Sequence, residues 1–242
     1  MSCIAVLYRD EYLVVVVKPA GLLVHRTQLD SHEKQNLVEQ LSTQLQQRVY
    51  PVHRLDKPTS GVMVLALCTD AARSLTGCFE QRRVRKKYHA VVRGYTAPEG
   101  TIDYAVGDKD ARHNRRSAAL SHYKTIATIE LPHRIDRYPT TRYSLVEVKP
   151  VTGRRHQIRQ HMKHINHPLI GDTSYGKSTH NRFFRQHYQC QRLLLHATGL
   201  SFIHPQSAQT LSFNASATDH SNTDDGQFAR VLDDHRWCGH HR

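Results

Sequence analysis

The sequence contains no Cys-x-x-Cys pair, no glycine-rich phosphate loop and no apolar run long enough to cross a bilayer. Its five cysteines, at positions 3, 68, 78, 190 and 238, are scattered and odd in number. That excludes a disulfide framework or a zinc knuckle as the organising device and reads as reduced cytosolic thiols. Neither Gly-x-Gly-x-x-Gly nor a Walker loop occurs, so a nucleotide cofactor has no support. The apolar run Leu13 to Val17 is far short of the roughly 20 residues of a membrane helix. Arg9, Asp10 and Glu11 break the N-terminus where a signal peptide needs its apolar region. These absences predict a cytoplasmic chain with no membrane partner. Proline (9) and glycine (12) are few for 242 residues, and a hydrophobic share of 38% suits a folded chain rather than a disordered one. Acidic residues are scarce as well: 21 Asp and Glu face 34 Lys and Arg, for a net charge of +13, with 19 histidines besides. A polyanion is the expected partner.

The apolar patterning predicts a strand-rich start. Ile4 to Tyr8 and Leu13 to Val17 flank Arg9-Asp10-Glu11 as a hairpin that ends at the turn Lys18-Pro19-Ala20-Gly21. Over residues 33 to 48 the period becomes helical, with Leu37, Val38, Leu41 and Leu45 on one face after a Ser31 cap. The run Val62 to Leu67 reads as a buried strand, and Thr69 or Asp70 as the cap of a helix from Ala71 to about Arg82. Val84, Tyr88, Ala90 and Val92 then share one strand face, with Arg85, Lys87, His89 and Arg93 on the other. Residues 98 to 118 lose periodicity around an exposed basic loop, Arg112-His113-Asn114-Arg115-Arg116. Strands are predicted at His122 to Leu131 and Arg142 to Lys149. A helix after Thr152-Gly153 carries Ile158, Met162 and Ile165 inward and Arg155, Arg159 and Lys163 outward, until His167-Pro168 ends it. Leu193 to Leu195 and Leu200 to Ile203 read as two closing strands, and in the polar tail, residues 218 to 242, Phe228, Val231 and Leu232 suggest a short docking helix. Strands and helices intermingle without a strand-helix-strand cadence, and no linker or repeat interrupts residues 1 to 242. The expected class is therefore α+β, a single domain built on a mixed, mostly antiparallel sheet flanked by helices.

One segment carries chemistry. In His53-Arg54-Leu55-Asp56-Lys57-Pro58-Thr59-Ser60-Gly61, a carboxylate sits among cations that would keep it ionised, as a nucleophile requires and as a plain salt-bridged loop residue would also show. Four histidines, His156, His161, His164 and His167, crowd another segment, but they lack His-Glu-x-x-His spacing and a cysteine pair, so no metal site is assigned.

The Asp56 segment resembles the signature loop of the RluA family of pseudouridine synthases. Further motifs of that family follow in order: Lys18-Pro19-Ala20-Gly21 with Val24-His25, Arg83-Val84-Arg85-Lys86-Lys87-Tyr88, Thr152 to Arg159 with His167 to Asp172, and Leu193-Leu194-Leu195-His196-Ala197. The resemblance runs to about residue 215. It implies the pseudouridine synthase catalytic fold with a central cleft, and an isomerisation in which the glycosidic bond of a uridine breaks, the base rotates and rejoins through carbon. No atoms enter or leave, so no cofactor is implied. On this resemblance Asp56 is the nucleophile, Arg159 the arginine paired with it, Tyr88 the ring that stacks on the uracil, and Arg54 the residue that enters the RNA as the uridine flips out. Lys86, Lys87, Arg154 and Arg155 are assigned to backbone phosphates. The first motif begins at Lys18, which leaves no room for the N-terminal RNA-binding module of other members. The short chain, with Lys18 to Arg26 and Arg137 to Tyr143, looks most like the TruC subgroup, which modifies uridine 65 of transfer RNA; ribosomal RNA is the alternative target, and an RNA-binding protein without catalysis the alternative class. A monomer is expected.

Overall fold

The run Leu13 to Val17 ends up with no exposed face: in the computed structural model every residue of the strand Leu13–Lys18 is buried. A strand covered on both sides needs no polar alternation, and β-branched side chains pack well on a pleat. The structure describes residues 3–25, 35–107, 116–217 and 226–239. Its first elements are β1 Ala5–Arg9, β2 Leu13–Lys18, α1 Leu37–Leu45, β3 Tyr50–Pro51, β4 Ser60–Ala66 and α2 Thr69–Glu80. There follow β5 Arg85–Arg93, β6 Glu99–Asp103, β7 Val106–Gly107, β8 Arg116–Ser117, β9 Leu120–Leu131 and β10 Thr141–Pro150. The remainder is α3 Gln157–His164, α4 Ser178–His187, β11 Leu195–Ile203, β12 Thr210–Asn214, α5 Gln227–Leu232 and β13 Cys238–Gly239. The chain divides into two compact units, Met1–Lys86 with His196–Asp225, and Lys87–Leu195 with Gly226–Arg242.

In the first unit β2 pairs antiparallel with β1 on one side and β4 on the other, with Val17 opposite Val62 and Val15 opposite Val64. β4 continues into a parallel pairing with β11, and β12 closes antiparallel on β11. Leu13, Val15, Val17, Val62, Val64, Leu75 and Phe202 form its core beneath α2. The β4–β11 approach depends on Gly61, whose φ is +119° and where a Cβ would lie 2.3 Å from the Ala197 carbonyl oxygen. Gly61→Ala combines a disfavoured backbone conformation with a backbone clash, and is expected to destabilise the fold by about 3 kcal/mol. A urea midpoint equal to that of the unaltered protein would refute this.

The second unit is antiparallel throughout: β10 lies between β5 and β9, β6 and β13 pair with β9, and β7 pairs with β8. Ala90, Val92, Val146 and Val148 pack against Ile158 and Met162 of α3. The class expected from the sequence is thus found: a mixed, mostly antiparallel α+β architecture with helices on the sheets.

Several local expectations are corrected. The first helix begins at Leu37, not near residue 33, because Asn36 supplies the cap by accepting from the Glu39 amide at 3.0 Å; Ser31 lies outside the described residues. The helix ends at Leu45 as Gln46 turns to φ +52°. α2 is capped by neither Thr69 nor Asp70. The chain is extended at Cys68, so both polar residues fall in the first turn, where the Asp70 carboxylate favours the positive end of the helix dipole instead. Of the first closing run only Leu195 is strand: β11 starts there and runs to Ile203 through the polar His196, whose Nδ1 accepts from the Ser60 hydroxyl at 2.6 Å and whose Nε2 donates to the Ala215 carbonyl at 3.3 Å. The stretch read as aperiodic holds β6, β7 and β8, with Arg116 inside β8; Arg112 to Arg115 lie outside the described residues. α5 buries Phe228 and Val231 and leaves Leu232 half-buried.

Candidate active site

The loop joining β3 to β4 alternates, with Arg54 exposed, Leu55 buried and Asp56 partly buried. Its backbone is tied down locally by the Thr59 amide, which donates to the Asp56 carbonyl at 3.0 Å. A second tie comes from far away in sequence. Lys18 is completely buried, and its Nζ donates to the carbonyls of Pro19 at 2.8 Å, Leu22 at 2.6 Å and Lys57 at 3.2 Å. The Gly21 amide reaches the same Lys57 oxygen at 2.8 Å. The residue after Asp56 is therefore held by the turn at Lys18 to Leu22, which shows why an ammonium at the end of an apolar strand is tolerated: its three donors have acceptors.

His53 is not one of the cations around Asp56. Its ring lies half-buried against Phe79, with centroids 4.3 Å apart, and its Nε2 accepts from the Val64 amide at 3.2 Å. Burial, with Lys86 adding repulsion, pushes its pKa down to about 3, so it is neutral near pH 7 and carries its proton on Nδ1. The consequence for stability has a definite sign. The unfolded imidazole takes up a proton near 6.5 whereas the folded one resists to about 3, so the unfolded state binds more protons between these values and stability falls as the pH drops. From pH 7 to pH 5 this amounts to about 2 kcal/mol. Urea titrations across that range should show a shallower slope for His53→Gln; an unchanged slope would exclude the mechanism.

The cations expected on phosphates have different settings. Lys86 is half-buried, and burial lowers its pKa to about 8. Lys87 is 43% exposed and lies 3.5 Å from Glu147 on the neighbouring strand β10. Arg154 is exposed, its Nε donating to the Ala118 carbonyl at 3.4 Å, while Arg155 is half-buried. Tyr88 lies half-buried on β5 opposite Val148 and packs against the core that holds Ile158 and Met162.

Arg159 departs most from the helical pattern. Expected outward with Arg155 and Lys163, it is 4% exposed. Its Nε donates to Asp172 Oδ2 at 2.7 Å and its Nη2 to Oδ1 at 2.9 Å, a two-pronged pair that only a planar guanidinium makes. The amides of Ser174 and Tyr175 donate to Asp172 Oδ1 at 2.8 and 2.9 Å, and the Tyr175 ring lies 5.2 Å from the guanidinium carbon. Burial works to raise the Asp172 pKa, but the guanidinium and the two amides outweigh it and leave it lowered. A helix in which Arg159 is neutralised by a loop carboxylate can bury that position, and periodicity cannot detect this. Asp172 closes the motif His167 to Asp172, yet its residue type alone does not name its partner.

Each of the four clustered histidines has an ordinary partner. His156 Nδ1 lies 3.1 Å from the Tyr175 hydroxyl, His161 Nε2 2.9 Å from the Tyr104 carbonyl, and His167 Nδ1 2.8 Å from the Arg93 carbonyl. His164 stacks on Tyr104 at 3.6 Å. Of the residues singled out from sequence, Arg54, Asp56 and Lys86 belong to the first unit, and Lys87, Tyr88, Arg154, Arg155 and Arg159 to the second.

Residues 12–164 match the model of the RNA pseudouridylate synthase family. The chain belongs to that family. Among curated relatives it is 49% identical over 222 residues to a tRNA pseudouridine synthase C from Pectobacterium carotovorum, spanning 88% of this chain and 59% of that protein. It is 46% identical over 222 residues to a tRNA pseudouridine synthase C from Vibrio parahaemolyticus, spanning 88% of this chain and 90% of the relative. Among solved structures it is similar to human RNA pseudouridylate synthase domain containing 1, with a TM-score of 0.69 and 26% identity over 88% of this chain and 83% of that one. The family's matched region takes in the loop of Asp56, the strand of Tyr88 and the helix of Arg159.

Proposed function

We propose that the chain converts one uridine of transfer RNA to pseudouridine, with Asp56 as the nucleophile. The observation that carries the reading is identity of 46% across nine-tenths of a relative named for action on tRNA, with the Asp56 loop intact. The reaction exchanges the N1–C1′ bond of uridine for a C5–C1′ bond, so C5 loses a proton and N1 gains one. Neither an oxidant nor a phosphate donor is required. A carboxylate that forms a covalent intermediate divides this exchange into two smaller barriers. In this assignment Arg54 enters the RNA as the uridine leaves its stack, Tyr88 offers a ring to the uracil, Arg159 is the arginine that orients the nucleophile, and Lys86, Lys87, Arg154 and Arg155 take backbone phosphates. The salt bridge of Lys87 to Glu147 implies that this lysine exchanges a protein carboxylate for a phosphate on binding. We further assign the target as uridine 65, reached by a monomer in the cytoplasm.

Mapping pseudouridine in RNA from cells with and without the protein tests the target. The mark at tRNA position 65 should disappear with the protein. A retained mark there together with a lost ribosomal mark would move the activity to ribosomal RNA.

A further inference from the structure

The connection from β9 to β10 is longer than its geometry needs. Leu131 pairs directly with Thr141, so two to five residues would close the hairpin, yet residues 132–140 bulge out as a loop with its ends together. The loop is firmly anchored. Asp136 Oδ2 accepts from Lys177 Nζ at 2.6 Å and from His180 Nε2 at 3.1 Å, and Arg93 lies 3.7 Å away. His180 is buried, and its Nδ1 is 2.9 Å from the hydroxyl of the buried Tyr143. At the mouth, Glu130 accepts from the hydroxyls of Thr140 at 2.5 Å and Tyr95 at 3.1 Å and pairs with Arg142.

What this scaffold presents is cationic and aromatic. Arg134, Arg137 and Tyr138 are exposed, Tyr138 at 58%. The Arg137 guanidinium stands 4.8 Å over the Tyr138 ring and donates to its hydroxyl at 2.7 Å. Arg134 Nε donates to the Asp136 carbonyl at 3.4 Å, and among the described residues neither arginine has a carboxylate partner. Arg93 and Lys177 thus meet the Asp136 carboxylate, while Arg134 and Arg137 on the same loop add two more cations. A loop serving only as a linker gains nothing from a large exposed ring fixed beneath a guanidinium. A polyanion with unpaired bases uses both features, the charge for its phosphates and the ring for a base.

We propose that residues 132–140 form an accessory RNA-contact surface for the substrate tRNA, with Arg134 and Arg137 on backbone phosphates and Tyr138 stacked on an unpaired base. The proposal rests on the reading of tRNA as substrate. It is tested with the full chain by measuring KM for unmodified full-length tRNA, and Kd for the same tRNA over a range of salt, in Arg134→Ala/Arg137→Ala, Tyr138→Leu and Tyr138→Phe proteins. For the double arginine variant, KM and Kd should rise about tenfold at low salt, and the slope of log affinity against log salt should become shallower by about two. For Tyr138→Leu both constants should rise about tenfold with the slope unchanged, and Tyr138→Phe should restore them. Unchanged Kd and slope in the arginine and leucine variants overturn the proposal, whatever the wild type makes. A wild type that binds tRNA and forms no pseudouridine, with variants that lose affinity, overturns the functional reading and leaves the surface standing.

Discussion

An Asp56→Asn protein should release no measurable tritium from tRNA labelled at C5 of uridine, a loss of at least about ten-thousand-fold, while binding that tRNA with nearly the wild-type affinity. The substitution keeps the side chain's size and one of its oxygens but removes the charge and the nucleophilicity. The loop itself should survive it. Its constraints act on backbone and neighbours: the Lys57 carbonyl held by Lys18 and Gly21, Leu55 buried, and His53 stacked on Phe79 and bonded to the Val64 amide. A normal melting transition together with absent tritium release is therefore the expected pair of results. Turnover within tenfold of the wild type would eliminate Asp56 as nucleophile, and loss of tRNA binding in a folded protein would assign it to recognition instead.

Disrupting the Arg159–Asp172 pair should give the largest loss of stability. Asp172 is 1% exposed and Arg159 4%, and removing one member of a buried ion pair strands the charge of the other in a medium that solvates it poorly. Asp172→Ala is expected to lower the unfolding free energy by about 3 to 5 kcal/mol, since the guanidinium loses the carboxylate that holds two of its nitrogens. Arg159→Lys keeps a charge but not the planar fork, and should cost about 2 kcal/mol. Equilibrium urea unfolding measures both. The same variants separate support from chemistry when assayed at a temperature where they are folded. If Arg159 orients Asp56 as proposed, Arg159→Lys should lower kcat far more than its stability deficit explains. Full kcat in a folded Arg159→Lys protein would confine Arg159 to its pairing with Asp172.

Much of the architecture could be read from local pattern because burial imposes it. β2 and β4 are apolar at nearly every position since both faces are covered, and α2 shows its inner stripe at Ala71, Leu75 and Cys78. The signature loop was legible because its residue types and spacing match the family motif, whatever surrounds them. Errors fell where a polar group found a distant partner. The apolar runs around residues 193–203 suggest two strands, but β11 runs through the polar stretch between them, where Ser60, 136 residues from His196 in sequence, satisfies its ring. α4 went unread: its sequence is polar, and only His180 and Phe184 are buried.

The sequence by itself determined the family and the α+β class, because hydrophobic burial and motif residue types are written one position at a time, and it supplies the residues on which the proposal for Asp56 rests. Tertiary structure decided the state of individual side chains within each unit. It made His53 neutral, turned Arg159 inward to Asp172, used the buried Lys18 to hold the Lys57 carbonyl, and fixed residues 132–140 through Asp136 with Arg137 and Tyr138 exposed. The state of these side chains depends on partners 11 residues away for His53, 13 for Arg159, 39 for Lys18 and 41 for Asp136 with Lys177, and only the folded chain brings those partners within hydrogen-bond distance.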